Sequence, residues 1–300
     1  MSLAKEFRIS LTGRPVTFNQ DLKALVPSPK IDSGFLFYYL QSQQHAIRDS
    51  ATEASHGTKK LESRVLESWP LPVPELAEQY AVRDILSAYD DLIENNRRRI
   101  VLLEQAARML FKEWFVHLRF PGHEHVAVVD GVPEGWERKA LGEVAPLKYG
   151  KALKKDDRVP GPFSVYGSSG IVGTHEKALV VGPAIVVGRK GNVGSVYWSK
   201  DDFHPIDTVY FIETECSTTY LYYVLLHMQF INTDVAVPGL NRAFAHSRRL
   251  LVPADKVLFL FEQDVTVIRD QIDHLAKYNE ALMQARDLLL PRLMNGQMVP

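Results

Sequence analysis

A single cysteine, Cys216, in 300 residues leaves no partner for an intrachain disulfide, so a packed core rather than covalent staples must hold this fold. No apolar run approaches the ~20 residues that span a bilayer, and none has the form of a leader. The expectation is therefore a cytoplasmic protein without membrane contact. Lys and Arg total 35 against 36 Asp and Glu, a net charge of −1, which excludes attraction to a polyanion through overall charge. A nucleic-acid surface, if there is one, has to be a local patch. The Gly-x-x-x-x-Gly-Lys-Ser/Thr phosphate loop is absent, as is the Asn-Pro-Pro-aromatic motif of an amino-methyltransferase. No Ser-His-Asp arrangement can be argued from spacing, so no catalytic residue and no cofactor are assigned to the chain. His117, His123, Glu124 and His125 are metal-ligand types, but they sit about a Pro-Gly linker without the spacing of a folded site, and no metal is assigned.

What the chain does contain is a repeat. Residues 18–115 and 203–294 carry the same succession of features. Phe18-Asn19-Gln20-Asp21 leads to Phe35-Leu36-Phe37-Tyr38-Tyr39-Leu40, and Phe203-His204-Pro205-Ile206-Asp207 leads to Tyr220-Leu221-Tyr222-Tyr223-Val224-Leu225, both blocks being 185 residues apart. Each copy then has a polar stretch with a glycine (Gly57; Gly239), an apolar-proline segment, a Glu-Gln pair (Glu78-Gln79; Glu262-Gln263) and a long helical pattern. The offset in the helical part falls to 179, as from Leu86 to Val265. The aromatic block Phe35 to Tyr39 is expected to be core.

Both helical patterns are heptad seams. The first has Leu86, Ile93, Ile100, Ala107 and Trp114 interleaved with Tyr89, Asn96, Leu103 and Leu110; the second has Val265, Ile272, Asn279, Arg286 and Leu293 interleaved with Ile268, Leu275, Leu282 and Leu289. A helix from Glu75 to Val116 would be on the order of 60 Å long and needs a partner helix. Antiparallel pairing matches Leu86 with Leu289, Ile93 with Leu282, Ile100 with Leu275, Leu103 with Ile272 and Trp114 with Phe261. It also brings Asn96 opposite Asn279, a pair suited to fixing register at some expense in stability.

Between the seams lies a stretch of different composition. Gly135-Trp136 starts it, a basic segment with Lys148, Tyr149, Gly150, Lys151, Lys154 and Lys155 follows, and Val165-Tyr166-Gly167-Ser168-Ser169-Gly170 and Ala184 to Trp198 alternate β-branched runs with glycine turns. These are predicted strands and tight hairpins. Arg189, Lys190 and Asn192 at a glycine-rich turn are side-chain types that contact phosphates or base edges, although such a turn can equally be plain surface.

The whole of this pattern resembles the specificity subunits of type I restriction-modification systems. The resemblance rests on Gly135-Trp136, on Tyr166 to Gly173, on Val187-Gly188-Arg189-Lys190-Gly191-Asn192, on Pro74-Glu75-Leu76-Ala77-Glu78-Gln79 and on Leu288 to Gly296. It implies an α+β fold in which target recognition domains are joined by a long antiparallel two-helix coiled coil. It implies residues 1–74 as the C-terminal part of a first recognition domain, 75–118 as the first helix, 119–256 as linker and complete second domain, and 257–300 as the second helix. The first copy is expected to lack a counterpart of Gly135 to Ile185 and to leave one half of the DNA site unread. The implied partners are double-stranded DNA, methyltransferase subunits that bind S-adenosylmethionine and, where present, an endonuclease subunit. The residues expected on the DNA face are Lys148, Tyr149, Lys151, Lys154, Lys155, Tyr166, Gly167, Ser168, Ser169, Gly170, Arg189, Lys190, Asn192 and Arg242. A coiled-coil assembly scaffold without DNA binding is the alternative from another class.

Overall fold

The computed structural model describes the chain apart from residues 1, 4–6, 21, 54–58, 214–217 and 231–238. Asp21, Gly57 and Cys216, named above, thus lie outside the described residues. The chain divides into two units, one of Met1–Val101 with Asp273–Pro300 and one of Leu102–Ile272.

In the first unit, β1 (Ser2–Leu3), β2 (Thr52–Glu53) and β3 (Lys59–Lys60) make a minimal sheet in the order β1-β3-β2. Beside it in sequence stand α1 (Ser33–Ser42), α2 (Gln44–Asp49) and α3 (Ser63–Glu67). Asp32 caps α1 by accepting the Phe35 N–H at 2.9 Å. The aromatic block is core, with Phe35, Tyr38, Tyr39 and Leu40 all buried among Ile47, Leu61, Val82 and Leu86. Phe18, whose repeat partner Phe203 is fully buried, is instead 53% exposed, so the front of the repeat is not kept in three dimensions.

The helix α4 (Leu76–Phe111) begins on a buried latch. Gln79 is completely buried, its Oε1 accepting the Asp32 N–H at 2.9 Å and its Nε2 donating to the carbonyls of Lys30 and Pro74 at 3.0 and 2.8 Å. The second Glu-Gln pair does not repeat this: Gln263 is exposed and lies two turns inside its helix, because the two pairs are 184 residues apart while the seams are 179 apart. The Glu-Gln match is a coincidence of sequence rather than a repeat of structure.

The second unit holds β4 (Val128–Val129), β5 (Val132–Pro133), β6 (Glu137–Ala140), α5 (Leu141–Val144), β7 (Leu147–Tyr149), β8 (Phe163–Gly167), β9 (Gly170–His175), β10 (Ala184–Gly188), β11 (Val196–Ser199), β12 (Phe203–Pro205), β13 (Val209–Ile212), α6 (Thr218–Met228), α7 (Arg242–Ser247) and β14 (Arg249–Val252). Helix α8 (Asp255–Met294) starts here. A four-stranded antiparallel sheet runs β11-β10-β13-β7, a second sheet runs β12-β8-β9 with β8 and β12 parallel, and β6 pairs with β14.

The central strand β10 is buried throughout, so it reads as a continuous apolar run. Its pleat divides two cores: Ile185 and Val187 join Leu147, Tyr210 and Ile212, while Ala184 and Val186 join Tyr166, Phe203, Val209 and Phe211. After Phe111 the helix widens into one π turn, Lys112–Val116, which buries Trp114 and Phe115 side by side. These rings meet Phe261 of α8 at centroid separations of 5.8 and 4.8 Å, and Trp136 of the Gly-Trp pair packs on Phe115 at 5.8 Å.

In the first unit α4 and α8 run antiparallel, since Asp90 meets Arg286 and, further along α4, Asn96 meets Asn279. Ile93 and Leu282 are buried on the same seam. Arg286, at a heptad position, is accommodated by ion pairs with Asp90 (2.5 Å) and Asp287 (2.7 Å), and Tyr38 of α1 donates to the same Asp90 at 2.7 Å.

Candidate nucleic-acid interface

The site is a continuation of the first core face of the central sheet past the ends of its strands. Alternation carries Leu147 to Tyr149 on β7, Ile212 to Tyr210 on β13 and Val187 to Arg189 just beyond β10. Tyr149 and Tyr210 are cross-strand partners with ring centroids 5.1 Å apart. Tyr210 is buried, its hydroxyl donates to the Leu240 carbonyl at 2.9 Å, and burial pushes its ionisation up to about 12. Tyr149, 48% exposed, is left as a phenolic surface at the strand end.

Two guanidinium groups stand over that surface. Arg189 lies 4.9 Å from the Tyr149 ring centroid and 5.9 Å from Tyr210, and Arg242, the first residue of α7, lies 4.8 Å from Tyr149. Each contact is worth ~0.5–1 kcal/mol at an exposed site. Among the described residues neither arginine has a carboxylate partner, so the two positive charges converge on one ring without local neutralisation. An arriving anion or acceptor-rich base edge would offset their repulsion.

The loop presenting Arg189 is rigidly folded. The N–H groups of Arg189 and Lys190 both donate to the Thr208 carbonyl (2.9 and 3.1 Å), the Leu240 N–H donates to the Arg189 carbonyl at 2.8 Å, and Arg189 Nη1 donates to the Asp207 carbonyl at 3.0 Å. Gly194 is left-handed (φ 75°) and a Cβ there would meet the Phe230 carbonyl oxygen at 2.7 Å, so only glycine closes this turn without displacement. Ser195 Oγ and Tyr197 Oη donate to the Ser168 carbonyl at 2.8 and 3.1 Å, which ties the β8–β9 turn to the loop. On the other side, a Cβ at Gly150 would lie 2.1 Å from the Ile206 carbonyl oxygen, so the chain leaving Tyr149 can pass only as glycine.

The residues named from sequence divide accordingly. Tyr149, Arg189 and Arg242 come together. Lys190, Asn192 and Ser169 are exposed on the adjoining turns, and Ser168 is half-buried between them. Tyr166 is a correction: it is 7% exposed, packs edge-on against Phe203 at 5.2 Å, and burial raises its ionisation. Gly167 and Gly170 are likewise buried, because they are the closing pair of the β8–β9 hairpin and only Ser168 and Ser169 form its tip. Lys148 is also misplaced, since the pleat of β7 turns it to the opposite sheet face from Tyr149, where it pairs with Glu213. Lys151 is exposed with its backbone bonded to Pro205. Lys154 and Lys155 are exposed beside Asp156 and Asp157, and among the described residues neither makes a polar contact with the arginine cluster.

Sequence reasoning missed Tyr210 and the carbonyls of Asp207 and Thr208; the alternation of Tyr210 with Ile212 was the available signal. It also missed His246, whose Nε2 accepts the Leu147 N–H at 2.9 Å and so anchors α7, with Arg242, to the start of β7. Among the described residues no group of three or more His, Cys, Asp or Glu is arranged to hold a metal, and no helix is long and apolar enough to cross a membrane.

Two arginines over an exposed tyrosine at the end of a sheet, without a carboxylate partner among the described residues, make a surface suited to an anion or an acceptor-rich edge. The chain belongs to the type I restriction modification DNA specificity domain family, whose sequence profile matches it over residues 8–105 and 133–243. It is the recognition subunit of such a system and not a catalytic one. The MjaIX specificity subunit of Methanocaldococcus jannaschii is 22% identical over 97% of this chain and 74% of its own length. The HindI specificity subunit of Haemophilus influenzae is 26% identical over 77% of this chain and 70% of its own. The fold matches the crystal structure of a type I S subunit from M. genitalium with a TM-score of 0.61 at 20% identity, covering 88% of this chain and 73% of that one.

Proposed function

We propose that the face built by Tyr149, Arg189 and Arg242, with Lys190, Asn192, Ser168 and Ser169 around it, binds one half of a bipartite double-stranded DNA target. The single observation that carries this is the convergence of Arg189 and Arg242 on one exposed tyrosine without a neutralising carboxylate among the described residues. In this reading residues 119–256 are the linker and the recognition domain for that half, and residues 1–74 belong to the other recognition domain. Residues 75–118 and 257–300 pair as a spacer that docks methyltransferase subunits and, where present, an endonuclease subunit in the cytoplasm. S-adenosylmethionine belongs to the methyltransferase partner. The long heptad seams and the buried Asn pair support the spacer role.

The test uses the full chain assembled with its methyltransferase subunits, on a duplex carrying the motif that the complex methylates. Replacing Arg242 by Ala should weaken binding at every sequence and lower the slope of log affinity against log salt by about one phosphate contact. Unchanged affinity and unchanged slope in both Arg242→Ala and Arg189→Ala would remove the DNA role of this face and leave the coiled-coil scaffold as the better description.

A further inference from the structure

The two arginines are not held alike. Arg242 is exposed at the first position of a six-residue helix, and its one described side-chain contact is the Tyr149 ring. Arg189 is half-buried, its backbone N–H and C=O are both engaged, and its guanidinium is fixed by the Asp207 carbonyl and two tyrosine rings. A phosphate accepts a cation from many directions, so a loosely held side chain serves it. A base edge in the major groove demands a planar fork at one orientation, which is what preorganisation of a guanidinium provides.

Resting on the reading of this face as the DNA surface, we propose that Arg189 is the specificity-determining residue of the site and reads a guanine, its fork donating to the O6 and N7 acceptors, while Arg242 grips the phosphate backbone. Tyr149 and Tyr210 act as positioning residues that fix the plane of the Arg189 fork. The target half bound by this unit therefore contains a guanine whose recognition depends on a single side chain. Lysine cannot replace it, because an ammonium keeps the charge but loses the planar pair of donors.

The experiment takes the full chain with its methyltransferase subunits and duplexes carrying the methylated motif, in which each guanine in turn is replaced by 7-deazaguanine, removing N7. At one guanine the replacement should weaken binding by part of the roughly 5- to 150-fold that the whole bidentate pair is worth. Arg189→Ala should bind the 7-deazaguanine duplex and the unmodified duplex alike, and it should bind the motif with any base pair at that position equally. Arg189→Lys should keep the wild-type salt slope and lose the discrimination, which separates a lost fork from a misfolded protein. A uniform loss at all sequences with a lowered salt slope in Arg189→Ala makes Arg189 a phosphate contact and overturns the proposal while the DNA face stands. Arg189→Ala with full discrimination at every guanine also overturns it. Loss of binding in neither Arg189→Ala nor Arg242→Ala removes the face itself.

Discussion

Asn96 Nδ2 donates to Asn279 Oδ1 at 3.0 Å in the seam between α4 and α8, with both residues all but inaccessible to solvent. Asn279 Nδ2 in turn donates to the Ile93 carbonyl at 3.3 Å. Each amide thus depends on the other helix, and a shift of either helix by a few residues would leave two polar side chains buried without partners. A polar pair at a seam position costs stability relative to leucine but penalises every other register more.

The energetic consequence is non-additivity. Asn96→Leu alone strands the Asn279 carbonyl oxygen and should cost ~1–3 kcal/mol, and Asn279→Leu should cost about the same for the converse reason. The double variant, which removes both polar groups, should be more stable than either single one. Urea unfolding of the four proteins measures this as a double-mutant cycle. A double variant as unstable as the sum of the two singles would mean the amides do not stabilise each other.

How much of this could be read from the chain follows from the range over which each feature is determined. The heptads needed only residues within one helix, and the antiparallel match that brings Asn96 to Asn279 and Trp114 to Phe261 followed from placing two such seams together. The π turn at Lys112–Val116 was not legible, because it exists to seat Trp114 and Phe115 among rings supplied by Tyr220, Trp136 and Phe261 from distant parts of the chain. Tyr166 was expected on the DNA face together with the hairpin tip, but four of the six residues from Val165 to Gly170 belong to paired strands and only Ser168 and Ser169 to the turn. Lys148 was a different error, avoidable from the sequence, since a strand that shows Tyr149 on one face must turn Lys148 to the other. The arginine cluster itself joins residues 53 positions apart, Arg189 and Arg242, through the pairing of β7, β13 and β10, which no local pattern discloses.

Tyr223 is 1% exposed, and among the described residues its hydroxyl makes no well-formed hydrogen bond, while the carboxylate of Glu104 and the guanidinium of Arg269 lie close enough to act on its ionisation. Burial, followed by Glu104, raises its ionisation from 10.0 to about 12. The neutral phenol is therefore favoured in the folded chain. Its contribution to stability is complete below pH 10 and is lost as pH rises from there through about 12. Tyr223→Phe should raise stability near neutrality by about 1 kcal/mol, because it removes an unsatisfied buried hydroxyl, and should make the alkaline decline shallower. Thermal unfolding at pH 7 and across pH 9 to 11 tests both; a variant clearly less stable than the parent at pH 7 would show that the hydroxyl has a strong partner.

At the acid end the informative group is His246. Its Nε2 accepts the Leu147 N–H, so the folded chain requires the neutral ring with its proton on Nδ1, and burial together with Arg242 lowers its ionisation below the ordinary 6.5. A histidine depressed in this way stabilises the fold above pH 6.5, and that contribution disappears as pH falls from 6.5 through the lower folded value. His204, also buried and also lowered, adds to the same limb. Replacing His246 by Gln, whose amide oxygen can accept the same N–H, should keep the fold at pH 7 and remove part of the stability loss between pH 6.5 and 5, the remainder belonging to His204. Arg242→Gln should make the His246 part smaller and end it at a higher pH, since without the neighbouring cation the folded ring resists protonation less and the difference from the unfolded chain shrinks. Urea unfolding across this range measures both variants. An acid limb as steep in His246→Gln as in the parent would show that the contact between His246 and Leu147 does not couple α7, and with it Arg242, to the sheet end where Tyr149 stands.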